Sequence, residues 1–484
     1  MPKVSIPFGG EYQSSSLSVS NQTNINCRVN VPQTTSFTEA ALYGTAGIEL
    51  VTTTGNVDMI NRGSHVKDGV AYFVNGDGAY RFNSDFTLEY LGMVEGESRC
   101  SFADNGRQLM IVSPGIDGYI IDETDNPVFQ KILDEDFKAN GNPQTVDFID
   151  SFFIVTTDQK KFIKSAANDG LSWNALEFLG ADADPDKIVS SIVNKNRLFI
   201  GGTETIEVFS NVGAGGFPFQ RVNGFIIPKG VFAPFSMISA DSSFMWIGGG
   251  TNEKAAIWRL NGNDAEKIST TAIDNILQSY TNEEINTSFA WSYADSGAFF
   301  IGFRLPTTTI VFDLITSQWH ERKSKLIDSR GVSQFTSWRV NSLVTVYGGL
   351  YCADSQDGRV GRVSDEIYTE YESPIFREFS IATLFNNGDS FNIPEVELIC
   401  ESGTANKDDP DPVIFMSSSK DARIFNDDIP RSLGRTGEYS ARQIWRRLGR
   451  FARFCVLRFT FSDKCKFAAL KLIVHIKPGK SRAR

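Results

Sequence analysis

Val70-Ala71-Tyr72-Phe73-Val74-Asn75-Gly76-Asp77-Gly78-Ala79-Tyr80-Arg81-Phe82 is the stretch whose reading decides the fold. Two short β-prone runs flank Asn-Gly and Asp-Gly, pairs that supply the positive φ of a tight turn, so the stretch reads as a β-hairpin. Comparable units follow at Leu109–Ile121, Phe152–Ile163, Leu198–Phe209, Phe244–Leu260, Ala298–Phe312 and Leu343–Val363. Their starts lie about 39 to 54 residues apart, close to the period of a four-stranded propeller blade, ~40–50 residues. One such unit cannot bury both its faces, but units stacked around a ring can. The chain is therefore read as all-β, with a β-propeller of six or seven blades: seven hairpins are visible, and one can share strands to close the ring.

Working outward, the propeller is placed at residues 61–370. Within it, Thr271–Tyr280 has helical spacing and ends near Thr281-Asn282-Glu283-Glu284, an inter-blade insertion. After about residue 370 the regular spacing stops. Strand-like runs at Ser380–Leu384, Glu395–Cys400, Pro412–Ser417, Arg453–Phe461 and Ala468–Ile476 predict a second, β-sandwich-like platform domain over 371–484. The polar first 60 residues hold short β-prone runs expected to contribute to the platform and to propeller closure.

The 484 residues include 47 Lys+Arg and 58 Asp+Glu, a net charge of −11. An acidic total argues against nonspecific DNA binding, which rests on Lys and Arg neutralising phosphates. The total conceals an asymmetry. Residues 431–484 hold 15 Lys+Arg and 2 Asp+Glu, a net of +13, which leaves −24 on residues 1–430. No run approaches the ~18 consecutive apolar residues of a membrane span. Six scattered cysteines without a Cys-x-x-Cys pair fit reduced thiols in a cytoplasm.

Little in the sequence points to catalysis. His65, His320 and His475 are isolated, with no companion ligands at metal spacing, so neither metal nor cofactor is expected. Gly213–Gly216 and Gly248–Gly250 are followed by no helix signal and read as turns rather than phosphate cradles. Asn168-Asp169-Gly170-Leu171-Ser172-Trp173 resembles the Asp-box of sialidase-type propellers, and Phe303-Arg304-Leu305-Pro306 resembles their Phe-Arg-Ile-Pro motif. The plainer reading is a hairpin staple, in which Asn168 caps the turn, Gly170 takes positive φ and Trp173 packs between strands. A glycan-binding or glycan-cleaving propeller remains the alternative.

The basic segment is the most informative. In Arg435-Thr436-Gly437-Glu438-Tyr439-Ser440-Ala441-Arg442-Gln443-Ile444-Trp445-Arg446-Arg447-Leu448-Gly449-Arg450-Phe451-Ala452-Arg453-Phe454, apolar residues recur every third position from Trp445, with arginines between them. Gly437 and Gly449 interrupt any helix, and Cys455–Phe461 alternates as a strand. Arginine suits bidentate pairing with phosphate or carboxylate. The partner could be a nucleic acid backbone, making the chain a direct DNA binder, or an acidic surface on another copy. A solvated basic face is the bland alternative.

This segment resembles the packaged-DNA stabilisation (tail hub, or nozzle) proteins of short-tailed bacteriophages. Tyr439, Arg442, Trp445, Arg446, Arg447, Leu448, Gly449 and Arg450 fill that family's Gly-x-Tyr-x-x-Arg and Trp-(Arg/Lys)-Arg-(Leu/Val)-Gly-Arg pattern. Upstream, Thr203–Ser210, Gln278–Glu284 and Ala41–Ile48 resemble further family segments in consistent order. Two departures are Ala422, where the family has Gly after Asp421, and Ala46, where it has Pro. The resemblance implies a non-enzymatic virion protein, a propeller on a β-rich platform, assembled in the host cytoplasm. It implies a ring, usually of six copies, below the portal and adaptor, forming a conduit that retains packaged DNA and allows its ejection. Implied partners are other copies, the head-to-tail adaptor and portal, a needle or plug, tailspike or fibre proteins, and double-stranded DNA in the lumen. Arg435, Tyr439, Arg442, Trp445, Arg446, Arg447, Gly449 and Arg450 become the candidate interface.

Overall fold

Runs of Val, Ile, Phe and Thr cut by Gly, Asn and Asp fold as the alternation predicts, into short antiparallel strands joined by tight turns. The computed structural model of the chain describes residues 3–54, 59–123, 127–181, 186–327 and 330–479. Among these residues seven blades form, over 61–93, 101–131, 143–180, 188–227, 230–267, 289–327 and 340–364. In every blade the turn between the first two strands contains a residue of positive φ. Five of the seven use two such residues, among them Asp68-Gly69, Asp150-Ser151 and Lys195-Asn196. That backbone matches the right-handed twist of the flanking strands, so these turns set register as well as direction.

The apolar residues of each blade meet those of the next, giving seven separate cores. Tyr72 and Val74 of blade 1 pack with Leu109 and Ile111 of blade 2, and Met110 and Ile120 of blade 2 with Phe153 and Val155 of blade 3. The series continues around to Phe73 and Phe82 of blade 1, which meet Val344 and Tyr351 of blade 7. Blade 7 has three consecutive strands, Val340–Val346, Gly349–Asp354 and Arg359–Ser364; its fourth is Gly47–Thr53 from the N-terminal part of the chain. The seventh sequence unit, begun at Leu343, thus spans the innermost strand as well as the middle hairpin. At the closing seam the Ser342 hydroxyl and the Asn61 carboxamide share a 2.7 Å hydrogen bond, and the Asn341 side chain donates to the Asn61 carbonyl. Arg99, in the linker to blade 2, reaches across the inner ring. One of its guanidinium nitrogens donates to the Asn341 carbonyl and side-chain oxygen, at 3.0 Å each, and the group stacks 3.9 Å from the Phe289 ring.

The helical insertion differs from the sequence expectation. The first helix stops at Leu277, and Thr281–Glu284, expected to end it, instead opens a second helix, Asn282–Asn286. The Thr281 hydroxyl accepts the Glu284 N–H while the Glu284 carboxylate accepts the Thr281 N–H, a reciprocal cap that starts a helix.

The second unit is a β-sandwich. One sheet orders Gln443–Phe451, Phe391–Cys400 and Ala468–Pro478, with Lys3–Ile6 and Ala41–Gly44 beside the last of these and Cys27–Asn30 beyond. The other holds Ile429–Ser432, Val413–Ser419, Phe454–Phe461, Arg377–Ser380 and Asn24–Ile25. A single core between them contains Phe391, Val396, Leu398, Met416, Trp445, Leu457 and Phe459. Asn24–Ile25 also pairs in parallel with the outer strand of blade 6, so a continuous sheet crosses from propeller to sandwich. Asn26, buried with φ of 54°, fixes the crossing. Its amide nitrogen donates to the Lys323 and Phe376 carbonyls, at 2.8 Å each, and its oxygen accepts the Lys323 N–H.

Candidate functional site

The basic segment becomes a strand, Gln443–Phe451, at the edge of the first sandwich sheet. Its inner neighbour is Phe391–Cys400, and the register is displaced between Ile393 and Glu395. Arg447 and Gly449 take φ of 61° and 95°. The displacement opposes two residues of this strand to one of its neighbour, and with it Trp445, Leu448 and Phe451 all turn inward while Arg446, Arg447 and Arg450 remain exposed. The three-residue apolar spacing is therefore a bulged strand. Without positive φ at Arg447 and Gly449 the alternation would bury an arginine.

Trp445 does not belong to a surface. It is 0 % exposed, its indole N–H donates to the Ile429 carbonyl at 2.8 Å, and its ring packs edge-on against Phe459. Its size and apolarity place it in the core, so it supports the edge rather than touching a partner. Of the other seven candidates, Arg442 and Arg446 are ion-paired with the adjacent strand, and the remaining five divide into two patches. Arg435 and Tyr439 lie in the loop before the strand. There Tyr439 is 79 % exposed and lies against Gly403, whose absent side chain leaves room for the ring. Arg447, Gly449 and Arg450 lie toward the far end of the strand. The turn residue Arg453, absent from the initial candidates, extends the second patch.

Part of the basic excess is paired within the chain, including Arg435 with Asp411 at 4.0 Å. Arg442 donates to Glu397 at 2.7 Å and Arg446 to Glu395 at 2.9 Å, both carboxylates projecting from the adjacent strand. The hydrogen bond from Arg446 is the main reason the Glu395 carboxyl titrates below its usual range. These glutamates lie outside the basic window and were missed in the sequence, although Glu395-Val396-Glu397 shows the alternation that puts both on one face. Arg450 donates only to the Ser390 hydroxyl, at 2.8 Å. Among the described residues Arg447 and Arg453 have no carboxylate partner. Side-chain bonds from Arg431 to the Ile444 carbonyl and from Gln443 to the Ser432 carbonyl cover the start of the edge. Beyond Arg446 no strand covers it. What remains is a short open edge carrying uncompensated arginines.

The sialidase-like motifs are structural. The Asn168 turn takes positive φ at Asn168 itself, not at Gly170 as expected. Gly170 lies in the following strand, where a Cβ would come 2.6 Å from Ile120. The Trp173 indole donates to the Gly170 carbonyl at 2.9 Å, and its ring packs 4.8 Å from Phe137. Arg304 is directed at the Trp338 carbonyl and Ser355, joining blades 6 and 7. Ala422 adopts φ of 62° in the turn where the family has Gly, with the Asp421 carboxylate accepting the Arg423 and Ile424 N–H groups. Ala422 thus occupies a left-handed position that ordinarily favours glycine.

His320 is buried, and desolvation followed by Arg322 and Arg28 holds its pKa well below the usual value. His65 contacts Asp104 and His475 lies near Glu395. Among the described residues no cluster could hold a metal, and no helix is long and apolar enough to cross a membrane.

A propeller closed by an N-terminal strand and joined by a shared sheet to a β-sandwich defines a two-domain class of all-β proteins. A family model described as the β-propeller of bacteriophage P22 Gp10 matches residues 3–368, and one described as its β-sandwich matches residues 377–477. The chain belongs to the bacteriophage P22 Gp10 family. It is 23% identical over 284 residues to the tail hub protein gp10 of Salmonella phage P22, covering 56% of this chain and 57% of that protein. Among solved structures, the WD40 β-propeller domain of Doa1 overlays with a TM-score of 0.41 and 12% identity, over 66% of this chain and 97% of that one.

Proposed function

We infer that the chain is a structural protein of a bacteriophage tail, a tail hub acting as a non-enzymatic component of the virion. In this reading copies assemble in the host cytoplasm into a ring, six-fold, below the portal and adaptor. The ring forms a conduit that retains packaged DNA and permits its ejection, with a needle or plug at its far end and tailspikes or fibres at its flank. The observation that carries the reading is the ordered match of both units to the two domains of the P22 tail hub protein. The arginine-bearing edge supports it. An open edge with unpaired cations is a surface for a partner of opposite charge, where such pairs fix register and specificity. The net −24 of residues 1–430 supports a path that does not grip DNA, since like charge repels phosphates.

Electron microscopy of the purified chain mixed with an adaptor–portal complex tests this directly. An axial six-fold ring is expected; persistent monomers that bind sugar would overturn it in favour of the glycan reading. Arg447→Glu combined with Arg450→Glu should abolish ring or adaptor assembly while the chain stays folded by circular dichroism. Normal assembly in that variant would remove the edge from the interface. Tight, salt-steep binding of free duplex would favour direct DNA binding instead.

A further inference from the structure

A cavity of about 350 Å³ lies where propeller and sandwich meet, and its lining includes Arg28, Tyr43, Ser296, Asp365, Arg377 and Lys466. Arg377 is 1 % exposed. Its one hydrogen bond, from a terminal nitrogen to the Ile375 carbonyl, is long at 3.4 Å, while Nε and Nη2 have no partner. No carboxylate pairs with it among the described residues. Nearby Cys27 and Cys465 do not neutralise it, because burial pushes each thiol up to about 12. The Phe461 ring, 5.8 Å from the guanidinium, offers only a weak attraction.

The other charged groups of the cavity are matched. Arg28 pairs with Asp365 at 3.0 Å and Lys466 with Glu401 at 2.9 Å. Among the lining residues three cations thus face two carboxylates, with Glu370 and Asp295 acting on Arg377 and Arg28 from outside the lining, and the surplus charge of the lining sits on the most deeply buried of the five. A buried guanidinium with unmet donors is strongly unfavourable unless an anion or hydrogen-bond acceptors complete it. Packing alone does not account for it: Gly44 sits where a Cβ would come 2.6 Å from Arg377 Nε, so the neighbouring strand makes room for the charge.

We propose that this cavity binds a small inorganic oxyanion of the phosphate or sulfate type, with Arg377 as its principal ligand and Arg28 and Lys466 as secondary cations. The planar fork of arginine suits tetrahedral oxyanions. The walls come from both units: Ser296 from blade 6, Asp365 from just after blade 7, and Arg377 and Lys466 from the sandwich. An anion held there binds the docked arrangement and not the separated one, so it ties the two units together by linkage. The site is independent of the arginine edge and of the tail hub reading.

Calorimetric titration of the full chain with inorganic phosphate, at ionic strength held constant with sodium chloride, tests the site. Saturable one-site binding is expected, competed by sulfate and weakened at least tenfold in Arg377→Met, which fills the space without charge. Lys466→Gln, at the half-exposed rim, keeps the fold and should weaken binding several-fold, so it decides the matter if Arg377→Met does not fold. Absence of saturable binding by the unaltered chain would overturn the proposal, as would unchanged affinity in Lys466→Gln or in a folded Arg377→Met chain.

Discussion

Propeller and sandwich solve the burial of apolar strands in opposite ways. The propeller distributes its apolar residues over seven inter-blade cores, each shared by two neighbours, and closes on itself by borrowing Gly47–Thr53. The sandwich gathers a single core between two sheets and leaves the edge strand Gln443–Phe451 partly uncovered. Ring closure gives every blade two neighbours and leaves the outer strands of blades 1 to 5 as edges, whereas the sandwich has to protect or use the edge at Gln443–Phe451. Closure thus completes the propeller's apolar cores within one chain, while the sandwich leaves an arginine-bearing edge exposed.

The largest break in this contrast should come at the borrowed strand. Ile48, fully buried between blades 6 and 7, replaced by Asp would place an unpaired charge in that core. A loss of about 4–5 kcal/mol is expected, with the propeller transition falling in calorimetry while the sandwich transition persists. Trp445→Ala reverses the pattern. It removes the central side chain of the single core and its bond to Ile429, costing about 3–5 kcal/mol, read as loss of the sandwich transition alone.

The junction between the units sharpens the comparison through pH. Glu11 is buried there, and desolvation, then Glu321, raises its pKa well above the usual value. A carboxyl whose folded pKa is raised costs nothing when protonated in both states. It destabilises progressively as pH rises from the unfolded value through the folded one. Glu11→Gln should therefore leave stability at pH 4 almost unchanged and raise it at pH 7–8, measured by denaturant unfolding at the two pH values. The smallest effect belongs to the edge itself. Arg447→Glu with Arg450→Glu should shift the free chain's stability by no more than ~0.5 kcal/mol. A larger loss in urea unfolding would mean the edge also serves the fold.

Local chemistry made the blades legible, and non-local pairing hid the rest. Asn75-Gly76 and the Asp- or Asn-containing turns announce hairpins within a dozen residues, and their recurrence gives the ring. The first 60 residues read as contributing to propeller closure, but nothing in Gly47–Thr53 marks it as the segment that pairs with Arg359–Ser364. The edge strand was obscured because the left-handed backbone at Arg447 and Gly449 breaks the two-residue alternation that identifies strands. The in-chain partners of Arg442 and Arg446 lie 45 and 51 residues upstream. For that reason a count of charges by segment overstated how much of the basic excess is free. Thr281 was misjudged for a different reason: hydroxyl and acidic residues at the end of one helical pattern are equally the start of the next.

The position of the first strands has a temporal consequence. Lys3–Ile6 pairs with Leu472–His475, and Gly47–Thr53 with Arg359–Ser364. During translation these two strands therefore wait for partners made more than 300 residues later, roughly 15–95 s at ~5–20 residues per second. A product terminated before residue 359 would lack the partner that closes its ring, and one terminated before 472 would lack the strand that receives its beginning. Closure of the ring and docking of the first strand are thus coupled to segments made more than 300 residues later.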